Sequence, residues 1–207
     1  MRLTLQAEPD SFEERVRQPG INYLASTPAP TADQFKSHNY WVRVLQELHD
    51  SYKGICGYSC HWIPYDTGFG TVEHFVAKTV NPRLAYEWSN YRLVCGRLNG
   101  RKGNRGRVLD PFAVITGWFE IDFPSLQVKP APGLPQDVHA AVIDTCECLG
   151  LNDESSCIKA RERYVKKYCL GSIPFDFLKE EAPFVAYEIR RQGLVDTLNN
   201  IMLYPSD

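Results

Sequence analysis

The run PSLQVKPAPGLP, residues 124–135, most constrains how this chain can fold. It holds four prolines, each with a fixed φ and no amide proton, so no helix interior and no central strand can cross it. It therefore marks a boundary. Beyond Gln136 apolar residues recur at helical spacing, whereas before it short apolar runs are separated by turn-forming residues. A second punctuated run, LASTPAPTAD at 24–33, separates an N-terminal arm, residues 1–23, from the rest. The pattern predicts an α+β chain in four parts: an arm and helix over 1–53, a compact centre over 54–112, a strand and linker over 113–135, and a helical region over 136–207.

Within these parts the periodicities predict particular elements. Trp41, Val44, Leu45, Leu48 and Tyr52 share one face of a helix over about 37–52, stopped by Gly54. ICGYSCHWI reads as a strand, DTGFG as a turn, and TVEHFVA as a second strand. A short helix over about 93–102 is stopped by Gly103, and AVITGWFEIDF alternates as a further strand. The rear carries three helical stretches, the last with Pro183 in its first turn or at the end of a shorter helix.

Composition excludes several classes. The 207 residues, 43% hydrophobic and 23% charged, are those of a globular chain rather than a disordered one. No run approaches 18 apolar residues, so no spanning helix is expected, and MRLTLQAEPDSFEERVRQ places charges where a secretory signal needs its apolar run. The expected location is cytoplasmic. Seven cysteines, odd in number and irregular in spacing, then point to packing or metal binding rather than disulfides.

The net charge of −2 hides a segregation: residues 71–110 carry eight Lys/Arg against three acids, a net of +5. That is the footprint of a phosphate-binding segment, or equally of a solvated face paired with its acidic flanks. Arg92, Arg97, Arg101, Lys102 and Arg105 are the candidate phosphate contacts.

The same segment, TVEHFVAKTVNPRLAYEWSNYRLVCGRLNGRK, holds an acid and a histidine followed by two asparagines. Hydrolysis of a phosphodiester requires a base to activate water and a cation to stabilise the leaving oxygen. His74 suits the first task, and Glu73 and Asn99 offer the hard oxygens that hold one Mg²⁺. Lys102, one turn beyond Asn99, would place a cation near the phosphate, and Asn90 can pin a loop so that His74 points correctly. The bland readings are a core histidine, an Asx turn at Asn90 and a helix-ending Asn99. One geometric condition separates them: Glu73 and His74 point to opposite faces of a regular strand, so they share a site only if the strand ends or bends there.

The pattern V-E-H-F, W-S-N and L-N-G-R-K resembles the HNH endonuclease signature, and its E-H…N…N form is similar to the HNH domain of RNA-guided nucleases. The resemblance implies a ββα-metal fold. His74 matches its general base, Glu73 its acidic metal ligand, Asn90 its middle asparagine and Asn99 its last ligand, with Mg²⁺ or Mn²⁺ as cofactor and DNA as substrate. With ICGYSCHW, LAYEWSNYRLVC and VLDPF included, residues 54–112 look like a group of small bacterial HNH proteins, among them the HNH subunit of the Septu anti-phage system. That likeness implies an ATPase partner, for which the acidic helical rear would be the docking surface.

The cysteines depart from the family pattern. Many HNH proteins hold a structural Zn²⁺ with two CxxC pairs, but here Cys56 and Cys60 are spaced CxxxC and Cys95 is followed by Leu98 where a fourth thiolate would stand. Three thiolates do not complete a tetrahedral site, so the expectation is reduced, packed thiols, with His61 the remaining candidate ligand. The rival readings are a non-catalytic nucleic-acid-binding or scaffold subunit that keeps the ββα fold, and a zinc protein.

Overall fold

The computed structural model describes residues 1–66, 69–104 and 107–202. It is a mixed α+β structure whose chain falls into two compact units. One comprises Thr4–Gly57 and Ile63–Gly106; the other comprises Met1–Leu3, Tyr58–Trp62 and Arg107–Asp207. Among the described residues no helix is long and apolar enough to cross a membrane.

The first unit begins with a π-helical turn, Glu13–Arg17, that runs into α1 (Gln18–Ser26). α2 (Ala32–Ser37) is started by a reciprocal capping box between Thr31 and Gln34. A 3₁₀ segment, Tyr40–Val44, then leads into α3 (Leu45–Ser51). The single helix predicted over 37–52 is thus two segments with a change of pitch. The predicted face nevertheless packs inward, because Trp41, Val44, Leu48 and Tyr52 are buried.

β1 (Gly70–His74) pairs antiparallel with β2 (Tyr91–Cys95), setting Glu73 opposite Arg92 and His74 opposite Tyr91. α4 (Gly96–Lys102) follows β2 directly and ends at Gly103, whose φ of +49° suits a residue without Cβ. Two predictions are corrected here. ICGYSCHWI is turns and isolated bridges rather than strand: Gly57 N–H donates to the Leu93 carbonyl and Ile63 N–H to the Gly54 carbonyl, but Cys60 adopts φ +53°, which breaks an extended run. The true partner of β1 is YRLVC, whose aromatic and β-branched residues favour a pleated strand over the predicted first turn of α4. Helix begins only at Gly96, after Cys95 in an extended conformation.

The core of this unit gathers Phe12, Val16, Phe35, Trp41, Tyr86, Trp88, Tyr91 and Leu93. Phe12 meets Trp88 and Tyr91 edge-on at ring separations of 5.6 and 5.8 Å. Tyr86, Trp88 and Tyr91 are therefore hydrophobic support for the strands.

In the second unit β3 (Phe119–Asp122) pairs antiparallel with β4 (Gln127–Pro130). β4 lies inside the run read as a linker. A two-stranded sheet tolerates it because Pro130 sits at the strand end, and Asn152 stands in for an outer strand by accepting from Val128 N–H and donating to Val128 O, both at 2.8 Å. The helices are α5 (Gln136–Leu149), α6 (Lys159–Cys169), α7 (Phe175–Glu181), α8 (Pro183–Arg191) and α9 (Leu198–Met202). Pro183 occupies the first turn of α8 while α7 ends just before it, so both expected roles of that proline are met.

Two buried charges organise this unit. The Glu188 carboxylate, 0% exposed, accepts from Ile121 N–H at 3.0 Å and from Arg191 at 2.8 Å, tying α8 to β3. Arg161 donates to the carbonyls of Leu126 and Leu151, each at 2.6 Å, and so holds the β3–β4 turn where Leu126 has φ +56°.

Candidate functional site

The first unit encloses a pocket of about 480 Å³ between the 3₁₀ segment, β1 and α4. Its polar wall carries Thr71, Glu73, His74, Lys78 and Asn99; its apolar wall carries Trp41, Leu45 and Phe69. Glu73 and His74 are both among the residues that line it, and β1 ends at His74.

His74 is 7% exposed and tightly held. A carbonyl only accepts, so the bond of 2.9 Å between Nε2 and Ala85 O places the ring proton on Nε2 and leaves the lone pair on Nδ1. Tyr91 donates its hydroxyl to the same carbonyl at 2.8 Å, so both lone pairs of Ala85 O are used. Trp41 and Tyr91 close on the imidazole edge-to-face, at 4.7 and 5.2 Å. Burial, then the positive charge of Lys78, lowers the His74 pKa to about 3, against which the Ala85 bond pulls upward. The imidazole is therefore neutral at neutral pH, with Nδ1 as its acceptor.

Glu73 is 2% exposed, and its Oε1 lies 2.5 Å from Lys102 Nζ, itself 3% exposed. Lys102 also donates to His74 O at 3.2 Å and Phe75 O at 2.9 Å. An ammonium has three protons, and these three acceptors match them. The expectation that Lys102 meets a phosphate is thus corrected: it is an internal clamp that joins the end of α4 to the end of β1.

Asn90 uses both ends of its amide. Oδ1 accepts from Val76 N–H at 2.8 Å, and Nδ2 donates to Val76 O and Leu84 O, each at 3.0 Å. The backbone adds a bond from Phe75 N–H to Asn90 O, so the segment leaving His74 is pinned to the start of β2. Asn99 donates from Nδ2 to Thr71 Oγ1 at 2.9 Å, and Thr71 passes its own proton to Val94 O at 2.7 Å. This chain orients the Asn99 amide on the pocket wall and leaves its oxygen as the acceptor end.

Chain comparison with family models, with curated proteins and with solved structures finds no match. Functional assignment therefore rests on the chemistry of these side chains.

The other predicted residues divide. Arg97 is exposed and Arg101 half-buried on α4. Arg92 is 3% exposed, donates to Ser89 O at 2.8 Å and Tyr91 O at 2.9 Å, and stacks over Phe75. Its expected role as a surface phosphate contact does not fit that burial. Arg105 lies outside the described residues. Cys56 is buried and its Sγ accepts the Cys95 N–H at 3.5 Å, while Cys60 is buried in the second unit. Among the described residues no group of three or more His, Cys, Asp or Glu converges as a metal site.

Glu73 and Asn99 both line this pocket, and their side-chain oxygens are of the hard type that a divalent cation prefers. Sequence reasoning passed over Thr71, Lys78 and Asn104 among the polar residues that line this pocket. Thr71 lies two positions before Glu73 in β1, a spacing that would have put it on the same face. Lys78 lies in irregular chain after the strand, where no periodicity could place it.

Proposed function

We propose that this chain is a metal-dependent endonuclease that hydrolyses phosphodiester bonds of DNA, with β1, β2 and α4 as a ββα-metal centre of the HNH kind. The observation that carries the reading is the convergence of Glu73, His74 and Asn99 on one pocket, with Asn90 fixing the segment that follows the histidine. His74 Nδ1 accepts a proton from the attacking water while its Nε2–H stays anchored on Ala85 O. Glu73 and Asn99 would hold Mg²⁺ or Mn²⁺, whose charge stabilises the departing 3′-oxygen. A bound phosphate, being anionic, raises the basicity of His74 from the low value that burial imposes. In the wider reading the chain is the cytoplasmic effector of an anti-phage complex with an ATPase partner, as its resemblance to Septu-type HNH proteins implies.

A second reading is favoured by the Glu73–Lys102 ion pair: a non-catalytic nucleic-acid-binding or scaffold subunit in which that pair is purely structural. One experiment separates them. Supercoiled plasmid is incubated with Mg²⁺ or Mn²⁺ and either wild type or His74→Ala, alone and with the product of a neighbouring ATPase gene. Cleavage that falls about 10²- to 10⁴-fold in the variant is expected. Two inert proteins would refute the nuclease reading, and equal cutting would refute the assignment of His74.

A further inference from the structure

Two lysines approach Glu73 and His74, and they are held in opposite ways. Lys102 is sunk in the wall with an acceptor for each of its protons. Lys78, half-buried on the pocket, has no hydrogen bond and no ion pair among the described residues. Its Nζ rests over aromatic faces instead, 5.2 Å from the Trp41 ring centre and 6.0 Å from that of Phe35. A ring face attracts an ammonium but is only a weak acceptor of its protons, so these contacts give the group no oxygen partner. Burial accordingly lowers the Lys78 pKa, and the nearby Glu73 charge opposes that only in part.

The charge balance of the pocket points the same way. The Glu73 carboxylate is ion-paired with Lys102, whereas Lys78, on a wall shared with His74 and Asn99, makes no ion pair among the described residues. Trp41 couples the two functional groups, since one indole carries the ammonium and also meets the His74 ring edge-to-face at 4.7 Å. An aromatic seat fixes where an ammonium stands while keeping its protons available to an incoming anion.

We propose that Lys78 is the phosphate-binding residue of this pocket, its ammonium meeting a non-bridging oxygen of the phosphodiester that lies against His74 and Asn99. The proposal rests on the nuclease reading of the same pocket and transfers to Lys78 the role that the sequence suggested for Lys102.

The test reads binding rather than cleavage. Wild type, Lys78→Met and Lys78→Arg are titrated in EDTA against a fluorescein-labelled 20-bp DNA duplex and against one of its strands, by anisotropy, from 50 to 300 mM KCl. Lys78→Met is expected to weaken binding and to reduce the slope of log K against log salt by about 0.9 on duplex or about 0.7 on single strand, the loss of one phosphate contact. Lys78→Arg should recover most of the slope, and thermal midpoints should stay together because Lys78 makes no hydrogen bond among the described residues of the free protein. An unchanged slope in Lys78→Met, with or without weaker affinity, overturns the proposal and leaves the nuclease reading standing. Failure of the wild type to bind either probe at 50 mM salt overturns both.

Discussion

Lys102 and Lys78 are the same residue type in the same basic segment, and their surroundings give them different work. Removing Lys102 strands the Glu73 carboxylate, 2% exposed, without its ammonium and frees two carbonyls of their donor. Lys102→Met should therefore destabilise the fold by about 3–5 kcal/mol, read as a fall in the urea midpoint, the usual outcome when one partner of a buried pair is lost. Lys78→Met should shift it by less than about 0.5 kcal/mol. Equal losses in the two variants would contradict the assignment of Lys102 as clamp and Lys78 as unpaired cation. At this scale Glu73, His74, Asn90 and Asn99 were legible because their chemistry and order are in the chain itself. The division of labour between the lysines was not, since charge counts say nothing about which ammonium finds a carbonyl.

Elements meet the site through short segments and close approaches. α1 passes so near the strand connection that a Cβ built at Gly20 would lie 2.1 Å from the ring of Tyr86, a core side chain 1% exposed. Gly20→Ala should cost about 1–3 kcal/mol by overpacking. Gly100 is the opposite case. It sits in α4, and a methyl added there would meet nothing within 4 Å, so Gly100→Ala should stabilise by about 0.4–1 kcal/mol through helix propensity. Thermal melts of the two variants check both signs, and a destabilised Gly100→Ala would show that α4 is not the helix described. Long periodic helices such as α5 and α6 were readable at this scale, as was the Gly103 stop. β2 and β4 were hidden because YRLVC and QVKP are short and become strands only through their partners, β1 and β3.

At the scale of the whole molecule, each unit buries a histidine as the neutral form. In the second unit His61 has no partner for Nε2 among the described residues, packs 5.3 Å from the Tyr164 ring, and has its pKa lowered to about 3 by burial and then by the Arg161 charge. The unfolded chain takes up this proton near pH 6.5 and the folded chain does not. The neutral histidine's contribution is therefore complete above about pH 6.5 and is lost as pH falls toward 3. Urea midpoints between about pH 7.5 and 4 should fall more steeply for wild type than for His61→Leu, whose side chain has nothing to protonate; parallel curves would exclude His61 as a source of acid sensitivity. The sequence by itself determined the α+β class, the order of the polar residues and the break at 124–135, because these follow from residue types and local periodicity. Tertiary structure alone decided that β1 ends at His74, that Lys102 neutralises Glu73 and that Lys78 faces the pocket. Each of those depends on which distant carbonyl, ring or carboxylate packing brings within reach, and no local pattern in the chain encodes that distance.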